Sequence, residues 1–283
     1  MQFSHRGPRD REQPVVTHDG AMFDLTPLTP RIDGAFLAAD GIARTRSALA
    51  CGILPRVELA DDVRIGAPIA APGKVVCIGL NYRDHADETN TPYPSEPVVF
   101  MKAADTVIGP HDDVPIPRGS TKTDWEVELA VVIGHEARYL ETDADAAAVI
   151  AGYTVSHDVS EREFQLERGG QWDKGKNCEG FNPLGPWLVP ADEIDDVQDL
   201  SLRLWVNGDL KQNGSTANQI FPVLHVVRYL SQFMVLRPGD IINTGTPAGV
   251  ALGANDFSYL RDGDVVELEI AGLGRARQRF VNA

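Results

Sequence analysis

The stretch DWEVELAVVIG, residues 124–134, constrains the fold more than any other part of the chain. Residues 126–134 read as a strand, and Leu129 to Ile133 are continuously apolar, as in strands covered on both faces. Side chains alternate faces along a strand, so Glu126 and Glu128 fall on the same side. Like charges so close repel, and charged groups are seldom buried without a partner. On these residues alone a solvated strand end is the simpler reading. The apolar continuation argues for the other one, acids at the rim of a core that need a counter-charge. A divalent cation supplies it, because hard cations take carboxylate oxygens and Mg2+ keeps waters besides.

A third ligand should come from another strand end. Asp158 in SHDVSERE (156–163) directly follows the apolar strand IAGYTVSH, at the start of a turn. Three carboxylates with open positions suit Mg2+, Mn2+ or Ca2+ better than zinc, which prefers His and Cys. His157 points away from Asp158 if the strand persists, and reads as a packing or supporting residue rather than a ligand. GLNYRDHADETN (79–90) supplies His85 and Glu88, which share one face of a short helix. There Glu88 can orient His85 as a general base toward water, although a surface pair is the plainer reading of these two alone. RGGQWDKGKNCEGFNPLGPW (168–187) is a glycine-rich loop carrying Lys174 and Lys176, without the pattern of a phosphate cradle. PGDIINTGTPAGV (238–250) runs from a strand into a Gly-Thr-Pro turn, where backbone N–H groups and the Thr246 hydroxyl can face an anion.

Charge narrows the partners. Of the 283 residues, 41 are Asp or Glu against 26 Lys or Arg, a formal charge of -15, which argues against nucleic acid. Cys51, Cys77 and Cys178 are scattered with no CxxC pair, as expected of a reducing, cytoplasmic setting. The polar opening MQFSHRGPRDREQP lacks a signal-peptide core, and no apolar run approaches the roughly 20 residues that span a membrane. No membrane association is expected.

Along the chain, residues 1–14 read as a loose charged tail, within a small N-terminal unit of strands and turns over 1–70. That unit holds one helix near Ile42 to Cys51 and ends at the linker APIAAPGK (67–74). The larger unit, 71–283, opens with the strand KVVCIGL (74–80), followed by PVVFMKA (97–103). LSLRLWVNGDLKQNGS (200–215) is a hairpin turning at VNGD, and DVVELEIAGLGRARQRFV (264–281) is a second one. Helices are expected at Asp143 to Ile150 and Gln219 to Leu236, the latter well buried. The result is a β-dominated α+β chain without strand–helix alternation.

Taken in order, KVVCIGLNYRDHADE, PVVFMK, DWEVELAVVIG, GYTVSHDVSEREFQ, RGGQWDKGK, FNPLGPWLV and PGDIINTGTPAGV resemble the fumarylacetoacetate hydrolase superfamily over about residues 72–283. The resemblance implies a mixed β-sandwich roll, a homodimer, and a Mg2+ or Mn2+ site acting on 2-oxo and β-diketo acids. Residue by residue, it implies Glu126, Glu128 and Asp158 as metal ligands and His85 with Glu88 as a catalytic dyad. The dyad lies on a segment that in relatives orders as a lid. Lys176 is implied to assist at the oxo group or enolate. Arg162, Gln165 and Thr246 are implied to line the pocket and hold the substrate carboxylate. Leu80 stands where relatives acting on short oxaloacetate- or acylpyruvate-type substrates often carry arginine. The text QLERGGQWDKGKNCEGFNPLGPW is more similar to a branch acting on 2,4-diketo-3-deoxy sugar acids, members of which are also labelled ureidoglycolate lyases. The implied reaction is hydrolysis of a C–C bond in a 2,4-dioxo acid, an acylpyruvate or a 2,4-diketo-3-deoxy sugar acid, giving pyruvate and a second acid. A lyase, decarboxylase or isomerase can share the site, and having both His85 and Glu88 favours hydrolysis. A structural Ca2+ site and a non-catalytic binding protein are the alternatives that turnover separates.

Overall fold

The computed structural model describes residues 1–60, 62–253 and 258–283. The acid-bearing strand runs Val127–Ile133 and is buried along its whole length. It lies third in a six-stranded sheet ordered Val189–Pro190, Ile150–His157, Val127–Ile133, Ile241–Asn243, Val75–Gly79 and Val98–Lys102. Only the pairing of Ile241–Asn243 with Val75–Gly79 is parallel.

Both faces of this sheet are covered, which is why Leu129 to Ile133 lack polar residues. Leu129, Val131 and Ile133 enter a core shared with a five-stranded sheet, while Ala130 and Val132 enter a second core with Phe3, Phe36 and Leu188. The five-stranded sheet holds both expected hairpins, Ser201–Val206 with Asp209–Ser215 and Val265–Ile270 with Gly274–Asn282, and is completed at one edge by Val114–Ile116. At the VNGD turn Asn207 (φ 52°) and Gly208 (φ 87°) are both left-handed, the pair that lets a two-residue loop follow the strand twist.

The helices are shorter than expected. Asp143–Ala148 is closed by a capping box between Thr142 and Asp145, and Ile150 already begins the next strand. The helix expected over 219–236 spans only Val223–Leu230, with Pro222 at its start. It buries Val223, Val226, Val227 and Leu230, while Phe221, His225, Tyr229 and Phe233 stack along its outer side. It is therefore amphipathic rather than buried all round. Among the described residues no helix is long and apolar enough to cross a membrane.

Residues 1–14 are not a loose tail. Gln2–Arg6 is a strand between Gln13–His18 and Ile65–Gly66, in a four-stranded sheet completed by Ala21–Asp24. Phe3 is fully buried, packs 6.1 Å from Phe36, and exchanges two 2.9 Å backbone hydrogen bonds with Leu188. Its neighbour His5 is pinned too, with Nδ1 2.8 Å from the Ala67 carbonyl and Nε2 accepting from Ile32 N–H at 3.0 Å. The charges that suggest a tail lie in the turn after Arg6, and the strand before it is too short to show a period. Phe3→Ala should cost about 3–5 kcal/mol, the usual range for emptying a buried phenylalanine site. Urea unfolding checks it, and an unchanged midpoint would mean that the strand contributes nothing to stability.

Candidate metal centre

The pairing of Val127–Ile133 with Ile150–His157 assembles the acids. Val127 opposes His157 and Glu128 opposes Ser156, and the ladder runs one step further as Asp158 N–H donates to the Glu126 carbonyl at 3.1 Å. Asp158 is thereby set opposite Glu126, and alternation gives both the face of Glu128. Carboxylate oxygens of Glu126, Glu128 and Asp158 lie within 4.8 Å of one another, and all three side chains are buried. His157 turns to the other face, its Nδ1 2.9 Å from Gln278 Oε1, and burial pushes its pKa down to about 4. As expected, it supports packing rather than the cluster.

Three buried cations answer the acids. Lys176 Nζ lies 2.9 Å from Glu126 Oε2 and 2.8 Å from Asp158 Oδ2. It reaches them from the short helix Asp173–Lys176, which packs so closely that a Cβ on Gly175 would stand 2.3 Å from the Glu161 carbonyl. Arg162 Nε donates to Asp124 Oδ2 at 2.7 Å, and its Nη2 forms a 2.7 Å ion pair with Glu126 Oε1 that lacks hydrogen-bond alignment. Asp124 also accepts from the backbone N–H groups of Trp125, Ala251 and Leu252. The third cation, Lys102, is paired with Asp158 Oδ1 and donates to the Val159 carbonyl at 3.0 Å. Reading the sequence missed Lys102. Its signal was a lysine ending the apolar strand PVVFMK on the same face as Phe100, which the second core buries.

Among the described residues Glu128 has no ion-pair partner of its own. It accepts from Gly245 N–H at 2.7 Å, while burial and the charges of Asp158 and Glu126 push its pKa well above the usual carboxylate range. Burial would raise Glu126 as well, but Lys176 and Arg162 outweigh it and hold that carboxyl well below its ordinary value. Lys176 shows the reverse balance, the charges of Asp158 and Glu126 outweighing burial to raise its pKa. A buried all-oxygen donor set short of one positive charge fits a hard divalent cation.

Glu126, Glu128, Lys176 and His85 line one cavity of about 230 Å³. His85 and Glu88 share the helix Arg83–Glu88, with His85 Nδ1 3.4 Å from Glu88 Oε2. Both oxygens of Glu88 accept from Gly249 N–H at 3.1 Å, which fixes the carboxylate. Asp158 and Glu88 are not among the residues that line it. Arg162, Gln165 and Thr246 also line the cavity, yet their polar atoms are unevenly committed. Arg162 gives its third nitrogen, Nη1, to Gln165 Oε1 at 3.0 Å. The Thr246 hydroxyl donates to the Val127 carbonyl at 2.9 Å and accepts from Gln212 at 2.8 Å. Among the described residues the Gln165 amide nitrogen has no partner, so of the three it is the donor that faces the cavity unengaged. A larger cavity of about 600 Å³, between Arg46 and Tyr153, holds none of these residues.

Residues 74–281 match the family described as fumarylacetoacetate (FAA) hydrolase C-terminal. A Burkholderia multivorans protein described no further than as a candidate hydrolase is 48% identical over 280 residues, 98% of each chain. The solved 5-carboxymethyl-2-hydroxymuconate delta-isomerase of Mycobacterium smegmatis is 30% identical, with a TM-score of 0.77, over 100% of this chain and 99% of that one. Maleylpyruvate hydrolase of Sphingobium sp. SYK-6, solved with manganese(II) and pyruvate, is 27% identical with a TM-score of 0.81 over 100% of both chains.

The electrostatics set two opposed pH windows. Glu126 has a lowered folded pKa, so its contribution to stability is present above the unfolded value and lost as pH falls through the folded one. Glu128 has a raised folded pKa, so metal-free protein loses stability as pH rises above the ordinary glutamate value. Glu128→Gln should therefore be more stable than the parent without metal. The gap in urea midpoint should widen from about pH 5 to pH 8, and the variant should lose the thermal shift given by Mg2+. A constant gap, or an undiminished Mg2+ shift, would rule out this role for Glu128.

Proposed function

Since the chain belongs to the fumarylacetoacetate hydrolase family, we propose that it is a divalent-metal-dependent hydrolase cleaving the C3–C4 bond of a 2,4-dioxo acid. The products are pyruvate and a second carboxylic acid. The supporting observation is the conjunction, on one cavity, of a carboxylate set short of one positive charge with an oriented histidine. Mg2+ or Mn2+, with Ca2+ as the structural alternative, would be held by Glu126, Glu128 and Asp158 and would supply Lewis acidity at the 2-oxo acid end of the substrate. The functional unit proposed is a homodimer.

The remaining chemistry belongs to the chain. Glu88, fixed by Gly249, takes the Nδ1 side of His85, leaving Nε2 to accept a proton from water. The resulting hydroxide adds to the C4 carbonyl, and collapse breaks C3–C4, leaving its electron pair on C3 as an enolate. Lys176, kept charged by its acids, stabilises the negative charge on the oxo oxygen as it forms. Protonation at C3 completes pyruvate. The Gln165 amide nitrogen is the cavity donor available to the substrate carboxylate. An isomerase or decarboxylase of a related oxo acid would share the acids and Lys176, and the similarity to a muconate delta-isomerase supports keeping that reading second. It has no need of a water-activating His85.

A panel of 2,4-dioxo acids with Mg2+, assayed for pyruvate release, tests the proposal. His85→Ala should lower the rate at least about a hundredfold while leaving Mg2+ affinity in calorimetry unchanged. Full activity in that variant would remove His85 from the mechanism, and no pyruvate from any compound would reject the hydrolase reading.

A further inference from the structure

The larger cavity, about 600 Å³, is walled by the helix Gly41–Ala50, the strand Ile150–His157 and the turn Ala191–Glu193. Its volume falls within the range of small-molecule sites, roughly 300–1,000 Å³. Much of the lining is apolar, with Leu37, Ile150 and Pro190 buried and Ile194 and Leu224 half-buried. Against this surface stands one polar group without a partner. Tyr153 packs its ring into the larger core and is only 5% accessible. Among the described residues its hydroxyl has no hydrogen-bond partner, and burial alone pushes its pKa up to about 12. The orphaned polar atoms that are sealed from solvent lie on other residues, so the accessible part of Tyr153 includes the hydroxyl, and it opens into the cavity that Tyr153 lines. An occupant covering that hydroxyl gains by offering it a polar partner.

The charge around it is one-sided. Asp40, Asp192, Asp195 and Asp196 line the cavity against Arg46 and His135. Arg46 is committed to Asp192, through Nη1 and Nη2 at 2.6 Å each, and to Glu193 at 3.1 Å, which ties its helix to the turn. The other three aspartates are exposed and have no such partner among the described residues. Asp40 comes no nearer than 4.0 Å to His135 Nε2, and Asp196 accepts only the Gln198 N–H, at 2.8 Å. Their summed field favours a cation. A metal ion does not fit, because among the described residues only Glu126, Glu128 and Asp158 stand close enough together to share one. An organic ammonium needs no shared set of oxygens and can carry an apolar body for the rest of the wall.

We propose that this cavity is a second binding site, separate from the metal centre, for an organic amine with an apolar body. The Tyr153 hydroxyl accepts from the ammonium group, Asp40, Asp195 and Asp196 supply the opposing charge, and Leu37, Ile150 and Leu224 cover the hydrocarbon. The proposal does not rest on the hydrolase reading.

Calorimetry on the full-length protein with Mg2+ at neutral pH tests it with 4-phenylbutylamine, 4-phenylbutan-1-ol, 4-phenylbutanoate and 1,4-diaminobutane. The phenyl amine should bind at least about tenfold more tightly than the phenyl carboxylate, through the aspartates. It should exceed the diamine by a similar factor of about ten, because the diamine has the charge without the apolar body. Tyr153→Phe keeps the ring in the core and should weaken the amine about three- to tenfold, the scale of one hydrogen bond. Asp195→Asn with Asp196→Asn should weaken the amine about fivefold and leave the alcohol unchanged. Ala147→Trp, at an exposed residue lining the cavity, should abolish amine binding by filling the space. Full affinity in Ala147→Trp would put the amine elsewhere and overturn the proposal. Equal binding of amine and carboxylate, or no binding of the amine at millimolar concentration, would overturn it as well. Should Ala147→Trp fail to fold, the near-isosteric Tyr153→Phe decides, and undiminished amine affinity there rejects the site.

Discussion

Among the described residues Glu128 is buried beside two other acids with one backbone N–H and no ion-pair partner of its own, and the rest of the site is arranged around that deficit. Asp124, Glu126 and Asp158 each have a buried base within ion-pair distance, from Arg162, Lys176 or Lys102. Were all four acids paired, the cluster would be a self-sufficient salt-bridge network with nothing to offer an ion. One unmatched carboxylate in a medium of low polarity turns the same network into a site that gains by taking up positive charge.

The scaffold can carry this strain because the acids stand on a strand held from both sides. Leu129, Val131 and Ile133 are locked by the core beneath the five-stranded sheet, and Ala130 and Val132 by the core that Phe3 helps to fill. A shift of one residue along the strand would send both glutamates into the larger core, so hydrophobic burial fixes the register that aims them. The N-terminal strand thereby supports the site without touching it, by closing the core on the face that the acids share.

The cavity is lined by charged groups and by apolar side chains. Groups of the chain itself satisfy the charged ones, its acids keeping Lys176 charged and the Gly249 N–H holding Glu88 before any substrate arrives. Leu80, Leu166, Trp172 and Leu252 line the same cavity and bring no charge to it.

The sequence by itself determined what depends on short-range backbone geometry. The common face of Glu126 and Glu128, the VNGD turn and the His85–Glu88 spacing follow from strand, turn and helix periods, and the structure carries all three. The order of motifs, set against the family, also pointed to Asp158 and Lys176, which the fold brings to the same acids. Tertiary structure alone decided which charges meet. It made Lys102 the partner of Asp158, engaged Arg162 and Thr246 with protein groups, and turned the presumed N-terminal tail into a buried strand. It also stopped the expected long helix at Leu230 and left an aromatic row outside. Periodicity is written in neighbouring residues. Charge pairing and burial depend on segments far apart in the chain, and no local pattern records them.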